Sequence, residues 1–120
     1  MNPEKRLFID GELCEAASGK TYPNINPATE EIIGKVPVGS SEDVDKAVHA
    51  AKLAFDSWSK SSIEKRIELL NLLSKAFKER GEELAQTITA EIGTPIGYSR
   101  VAMVGTTRVI SRSHAKILEE

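Results

Sequence analysis

Cys14 is the one side chain of the sequence that could act as a thiol nucleophile. A reactive cysteine requires surroundings that stabilise its thiolate, such as a helix N-terminus or a cationic neighbour. Cys14 instead lies between Leu13 and Glu15 in a segment with the pattern of a strand, and a neighbouring carboxylate disfavours the thiolate. We therefore interpret it as a small packed or half-exposed side chain. A single cysteine cannot form an internal disulfide, which is typical of a reducing compartment.

The two histidines and the densest group of carboxylates also have structural interpretations. His49 and His114 lack partners at metal-ligand spacing, whereas even a catalytic zinc requires about three protein ligands. Glu42, Asp43 and Asp45 lie at the predicted start of a helix, where negative charge complements the helix dipole. The sequence therefore predicts no catalytic residue among them.

Glycines and arginines near the C-terminus are the residues of this sequence that could contact a phosphate. Gly93 and Gly97 form an isolated G-x-x-x-G without the strand, glycine-rich turn and helix of a dinucleotide site, so they favour a helix stop and restart. Arg100, Arg108 and Arg112 fall on one face of the predicted last helix. They could contact a phosphate, but a solvated face, or a contact with the rest of a larger protein, is the preferred interpretation.

Length and composition indicate an ordinary globular chain. Its 120 residues suit one domain or one piece of a larger domain, and 40% of them are hydrophobic. A net charge of -2 argues against a nucleic-acid partner. No apolar stretch approaches the roughly 20 residues that span a bilayer. Only Leu7, Phe8 and Ile9 follow the N-terminal basic residues, which is too short for a signal peptide. We therefore expect a cytoplasmic protein with no membrane partner.

A strand-rich head is predicted over residues 6–38. Asp10 and Gly11 separate two short apolar runs, which is a strong hairpin signal because both turn residues take positive φ. Pro23 and Pro27 disfavour helix and cannot donate to a strand ladder. A third strand is expected over residues 31–37.

A helical body is predicted over residues 40–118. Apolar residues recur at helical spacing in four segments, 40–60, 61–80, 82–92 and 95–118. Ser40 with Asp43, and Ser61 with Glu64, have the pattern of a capping box at the first two helix starts. Gly81 is expected to end or bend the second helix.

Four segments occur in a characteristic order. They are the Phe8–Glu12 hairpin, the Pro23–Glu31 segment (PNINPATEE), the Ser41–Val48 helix start (SEDVDKAV) and the Glu91–Pro95 break (EIGTP). In this order and spacing they resemble the N-terminal region of the aldehyde dehydrogenase superfamily, over about residues 7–118. The resemblance implies an α/β fold class, with an N-terminal β-hairpin and short strands followed by three to four helices. It implies that residues 1–120 are the N-terminal part of a cofactor-binding domain.

The resemblance also implies a chemistry. Members of this family oxidise aldehydes to carboxylic acids with NAD or NADP, using a cysteine thiolate and a water activated by a glutamate. They are usually homo-oligomeric. By the resemblance, the catalytic residues and the glycine-rich cofactor fingerprint all lie beyond residue 120. We therefore expect no catalytic and no cofactor-binding residue here, and no aldehyde oxidation by this chain alone.

Two lesser roles are implied by the same resemblance. Asn24, Ile25 and Glu91 correspond to positions that hold a structural monovalent cation, the first two through backbone carbonyls. Ala102 and Thr106 correspond to a helix that lines the substrate entrance. Simple packing is the alternative for each residue. The alternative for the whole chain is a free-standing helical interaction module derived from that family.

Overall fold

A computed structural model of the chain describes residues 6–119. The chain folds as two compact units, residues 1–60 and residues 61–120. Short strands occur in the first unit and helices in both, which confirms the predicted α/β class. The basic N-terminal residues of the signal-peptide argument lie largely in the segment 1–5, outside the described residues. None of the helices in the described part of the chain is long and apolar enough to cross a bilayer.

The first hairpin pairs β1 (Leu7–Ile9) with β2 (Glu12–Cys14) in antiparallel register. Asp10 has a φ of 55° and Gly11 a φ of 79°. Two consecutive positive φ values are the signature of the tight hairpin turn that an Asp-Gly pair favours. The predicted hairpin is therefore present.

The second hairpin pairs β3 (Thr21–Ile25) with β4 (Ile32–Pro37), and an irregularity lies between Asn24 and Ile25. Pro23 cannot donate to a strand ladder, yet it lies opposite Lys35 within β3. A two-stranded ribbon consists only of edge strands, and an edge strand tolerates a residue that cannot donate. The prolines therefore excluded a helix but not a strand.

The first long helix, α1 (Ser41–Trp58), starts at the predicted capping box. The Ser40 hydroxyl accepts from the backbone N–H of Asp43 at 3.4 Å. The Asp43 carboxylate accepts in turn from the backbone N–H of Ser40 at 2.8 Å. Two donors that have no partner within the helix are satisfied in this way.

The second unit begins with α2 (Ile63–Glu79) and α3 (Gly81–Ile92). The prediction that Ser61 caps α2 is wrong by one residue. The extended Ser62 caps it, accepting from the backbone N–H of Lys65 at 3.2 Å, whereas the Ser61 hydroxyl accepts from Arg66 Nε at 3.0 Å. Gly93 ends α3 with a φ of 74°, a left-handed conformation that glycine adopts without steric cost.

The last predicted helix is not one continuous α-helix. It consists of α4 (Ile96–Tyr98), a π-helix (Ser99–Gly105) and α5 (Thr106–Glu119). The backbone N–H of Thr106 donates to the carbonyl of Val101, five residues back. A Cβ at Gly105 would lie 3.2 Å from the Arg100 carbonyl oxygen, so the absence of a side chain leaves room for this wider turn. π-helical turns of this kind are rare and concentrate at functional sites.

Small side chains make up the buried apolar core of the described residues. They are Ala16 in the first unit and Ala85, Val104 and Ala115 in the second. In the second unit α2 packs along α5, and α3 packs on the π-helix. Many larger apolar side chains lie on the surface, with exposed fractions as high as 71% for Phe8 and 74% for Val101.

Candidate functional site

A partly buried group of three hydroxyls fixes the start of the π-helix. The Ser99 side chain is fully buried, and its oxygen lies 2.9 Å from Thr89 Oγ1 and 2.8 Å from Thr94 Oγ1. Thr89 lies on α3 and Thr94 in the turn that follows it. The cluster therefore ties the π-helix to α3 at the point where the chain leaves ordinary helical geometry.

Next to this cluster, Arg100 forms a two-point ion pair with Glu82 of α3. Its Nε and Nη2 donate to the two carboxylate oxygens at 2.8 and 2.7 Å. The hydrogen bonds from Arg100, followed by one from Gln86, lower the pKa of Glu82 to about 2. Both partners are about half exposed, so solvent screens the pair and limits its contribution to stability. The geometry is that of a brace between α3 and the π-helix.

The three arginines expected on one helix face have different surroundings. Arg100 lies in the π-helix, where Glu82 engages it, and it borders two surface cavities together with Arg108. Arg108 and Arg112 both border a groove between α2 and α5.

The two residues proposed for a substrate entrance lie at either end of the last π-helical turn. Ala102 is half-buried within the π-helix, and Thr106 is the exposed first residue of α5. Thr106 borders a surface cavity of about 580 Å³, together with Val101 and Val109, whereas Ala102 does not line it. The structure thus places Thr106, but not Ala102, on an open apolar surface.

The three residues proposed for a monovalent cation occupy two different units. Asn24 and Ile25 flank the irregularity in β3, and Glu91 lies half-buried near the end of α3. Backbone carbonyls and a carboxylate are the oxygen donors that hard cations prefer. Within residues 6–119 there is no cluster of three or more His, Cys, Asp or Glu side chains suited to a metal ion.

Cys14 occupies the last position of β2, opposite Leu7, and is partly exposed. His49 is an exposed residue of α1, and His114 an exposed residue of α5. The three side chains therefore lie on separate elements. Among the described residues, none of them contacts a side chain with which it could form a nucleophile and its general base.

The described strands do not form a dinucleotide-binding unit. Such a unit needs parallel strands joined by a helix, with a glycine-rich turn that brings a phosphate to the helix N-terminus. Both sheets described for residues 6–119 are two-stranded and antiparallel. The described strands therefore lack the parallel arrangement of such a unit.

Comparison with known proteins decides the family. The sequence profile of the aldehyde dehydrogenase family matches residues 14–119. The chain belongs to the aldehyde dehydrogenase family. It is 41% identical over 96 residues to a 3-succinoylsemialdehyde-pyridine dehydrogenase from Pseudomonas sp., covering 80% of this chain and 20% of that enzyme. The chain therefore spans about a fifth of the length of the curated aldehyde dehydrogenase relatives it matches.

Solved aldehyde dehydrogenase structures contain the same fold. An aldehyde dehydrogenase from Bacillus cereus matches with a TM-score of 0.91 at 35% identity, over 96% of this chain and 24% of that one. A betaine aldehyde dehydrogenase from Staphylococcus aureus, solved with NAD+, matches with a TM-score of 0.90 at 31% identity. That match covers 97% of this chain and 23% of the Staphylococcus enzyme.

Sequence reading missed the lysines that face Arg108 and Arg112. Lys75 and Lys78 of α2 border the same groove as the two arginines. The lysines are three residues apart on α2, and the arginines are four residues apart on α5. These spacings could have indicated one basic face on each helix. No sequence signal showed that those faces adjoin, because this depends on how α2 packs along α5.

Asp43 provides a pH-dependent anchor in the first unit. Its carboxylate accepts from the Ser40 backbone, the Ala17 backbone and the Ser40 hydroxyl, at 2.8 to 3.2 Å. These hydrogen bonds, the one from the Ser40 backbone most of all, lower the pKa of Asp43 below its ordinary value. A carboxylate with a lowered folded-state pKa stabilises the fold above its unfolded-state pKa. That contribution is lost as the pH falls through the lower value.

We expect the first unit to lose stability as the pH falls below about 4. Asp43→Asn should lower stability at neutral pH and flatten this dependence, since an amide retains only part of the hydrogen bonding. Asp45→Asn removes the same charge at an exposed position of α1 and serves as the matched control. Urea unfolding followed by helical circular dichroism at several pH values measures both. Identical pH profiles for the parent chain and Asp43→Asn would contradict the assignment.

Proposed function

We propose that this chain is the N-terminal, structural part of the cofactor-binding domain of an NAD(P)-dependent aldehyde dehydrogenase. In the complete enzyme it would support the cofactor domain and the substrate entrance. By itself it would not oxidise an aldehyde. We further propose that the complete enzyme is cytoplasmic and homo-oligomeric, and acts on an aldehyde without a nucleic-acid or membrane partner.

The observation that carries this proposal is the exposed apolar surface. Apart from Val104, the buried apolar side chains of the described residues are alanines. Large apolar side chains stay at least a third exposed on every long helix, for example Phe55, Leu73, Ile92 and Ile117. Monomeric soluble proteins rarely leave such extended apolar surface uncovered. A surface of this kind is typical of a segment that packs against further protein.

The comparisons support the same proposal. The chain matches about a fifth of each relative, and the Staphylococcus aureus relative was solved with NAD+. The described strands cannot build a dinucleotide site alone. Any cofactor would therefore contact residues outside the described part of this chain.

Two site roles belong to this proposal. Asn24, Ile25 and Glu91 would provide oxygen ligands for a structural monovalent cation. Ala102 and Thr106 would face the substrate entrance, and the open cavity beside Thr106 supports that role for Thr106 more strongly than for Ala102.

The first test uses the purified 120-residue chain. With NAD+ or NADP+ and a series of aliphatic and aromatic aldehydes, we expect no increase in the absorbance of reduced nicotinamide. We also expect strong fluorescence from a hydrophobic dye and a tendency to self-associate. Aldehyde-dependent reduction of the nicotinamide would overturn the proposal. A monomer that binds no dye would instead support the free-standing interaction module.

The second test transplants the chain. In a chimera, the chain replaces the matching segment of the Pseudomonas dehydrogenase, to which it is 41% identical. A variant of that dehydrogenase from which the segment is deleted serves as the matched control. We expect the chimera to reduce NAD(P)+ with that enzyme's aldehyde and the deletion variant to be inactive. A chimera that assembles like the parent enzyme but has no activity would contradict the proposed supporting role.

A further inference from the structure

A basic groove lies between α2 and α5. We define it by Lys75 and Lys78 of α2 and Arg108, Arg112 and Lys116 of α5, which border a space of about 840 Å³. The lysines are three residues apart and the α5 cations four apart, so each set occupies one helix face. The α5 cations form a row about 12 Å long, at the rise of an α-helix. Five positive charges thus converge in a chain whose net charge is -2.

Within residues 6–119, no carboxylate makes a close ion pair with the cations of this groove. No lining residue is acidic, and Lys75 makes only a long contact with Glu79 at 3.8 Å. Lys78, Arg108, Arg112 and Lys116 have no ion pair with a carboxylate among residues 6–119.

Three carboxylates elsewhere in the second unit are already engaged. Glu68, Glu82 and Glu83 each contact a basic side chain at 2.7 Å. Glu82 lines a neighbouring cavity beside Lys78 and Arg108, but Arg100 binds both of its oxygens. The basic groove therefore keeps a net positive charge that an external anion would neutralise.

The lining favours a small, highly charged anion over a macromolecule. Val109 is its only apolar side chain, whereas protein interfaces rely on buried apolar or aromatic anchors. The groove contains no aromatic side chain on which a nucleic-acid base could stack. The hydroxyl of Ser113 and the amide of Asn71 add neutral hydrogen-bonding groups. Arginine side chains donate two parallel hydrogen bonds to phosphate oxygens.

We propose that the basic groove binds a small molecule carrying several linked phosphate groups. A single phosphate would neutralise only part of the α5 row, whereas a chain of phosphates can contact cations of both helices. This proposal is independent of the proposed function, because it concerns a surface of the second unit and requires neither an aldehyde nor a nicotinamide.

The test measures binding to the 120-residue chain by titration calorimetry at constant ionic strength. The probes are inorganic triphosphate, a nucleoside triphosphate and orthophosphate. We expect both triphosphates to bind and orthophosphate to bind roughly tenfold or more weakly. Tighter binding of the nucleoside triphosphate would identify a nucleotide as the ligand, and equal binding would identify the phosphate chain itself. No binding of either triphosphate, or equal binding of orthophosphate, would overturn the proposal.

Two double variants separate a site from a general charge effect. K78Q/K116Q removes two groove cations, and K35Q/K52Q removes two exposed lysines of the first unit. We expect the groove variant to bind triphosphate roughly tenfold or more weakly and the control variant to bind like the parent. Circular dichroism verifies that each variant is folded. An equal loss in both variants would overturn the proposal, as would tighter binding of a polyglutamate peptide than of triphosphate.

Discussion

Ala85→Leu is expected to destabilise the second unit by about 1–3 kcal/mol, the usual cost of inserting methylenes into a packed interior. Ala85 is fully buried on α3, where α3 packs on the π-helix. Val104 of the π-helix is also buried. A leucine at position 85 would therefore have to displace α3 from the π-helix. Urea unfolding followed by helical circular dichroism measures the loss.

Ala76→Leu is the matched control, because Ala76 is an exposed position of α2. Alanine and leucine are both strong helix formers, so this change should alter stability by less than about 0.5 kcal/mol. If Ala85→Leu were no more destabilising than Ala76→Leu, the close packing of α3 on the π-helix would be wrong.

Ser99→Ala is expected to cost about 1–3 kcal/mol, because it removes the shared hydrogen-bond partner of two hydroxyls. Thr89 and Thr94 both contact the Ser99 oxygen, and neither hydroxyl has another described hydrogen bond. The main structural consequence should be fraying of the π-helix, which begins at Ser99. Amide hydrogen exchange should therefore accelerate across residues 99–105 more than in α2.

Two further variants test the reason for this loss. Ser113→Ala removes an exposed hydroxyl of α5 and should leave both stability and exchange unchanged. Ser99→Ala combined with Thr89→Val and Thr94→Val removes the whole cluster. It should recover part of the loss, because no hydroxyl is left without a partner. A triple variant whose loss relative to the parent chain equals the sum of the losses of the three single variants would contradict a shared cluster.

Local sequence signals determined the elements that depend on neighbouring residues. Asp10 and Gly11 specified a tight turn because few other residues tolerate two consecutive positive φ values. Ser40 and Asp43 specified the start of α1, because a capping box needs only residues three positions apart. Gly93 specified the end of α3. The ordered segments around these residues also resembled the aldehyde dehydrogenase family, which the comparisons then confirmed.

The features that sequence reading missed depend on contacts between elements. Pro23 is acceptable in β3 only because that strand belongs to a two-stranded ribbon. The π-helix was missed because its seven residues are too few for a hydrophobic pattern to distinguish it from an α-helix. The wider turn depends on the hydrogen bonds of Ser99 to Thr89 and Thr94. It also depends on Gly105, whose backbone lies close to the Arg100 carbonyl oxygen.

The basic groove shows most clearly which features depend on local sequence and which depend on contacts between elements. Helical spacing put Arg108 and Arg112 on one face, and it would equally have put Lys75 and Lys78 on another. Only the packing of α2 along α5 brings these faces together. A repeat of three or four residues fixes which side of a helix a charge occupies. Which charges meet across two helices is decided by tertiary packing, whose contacts join residues more than thirty positions apart, as the Ser74 bond to the Arg108 carbonyl does.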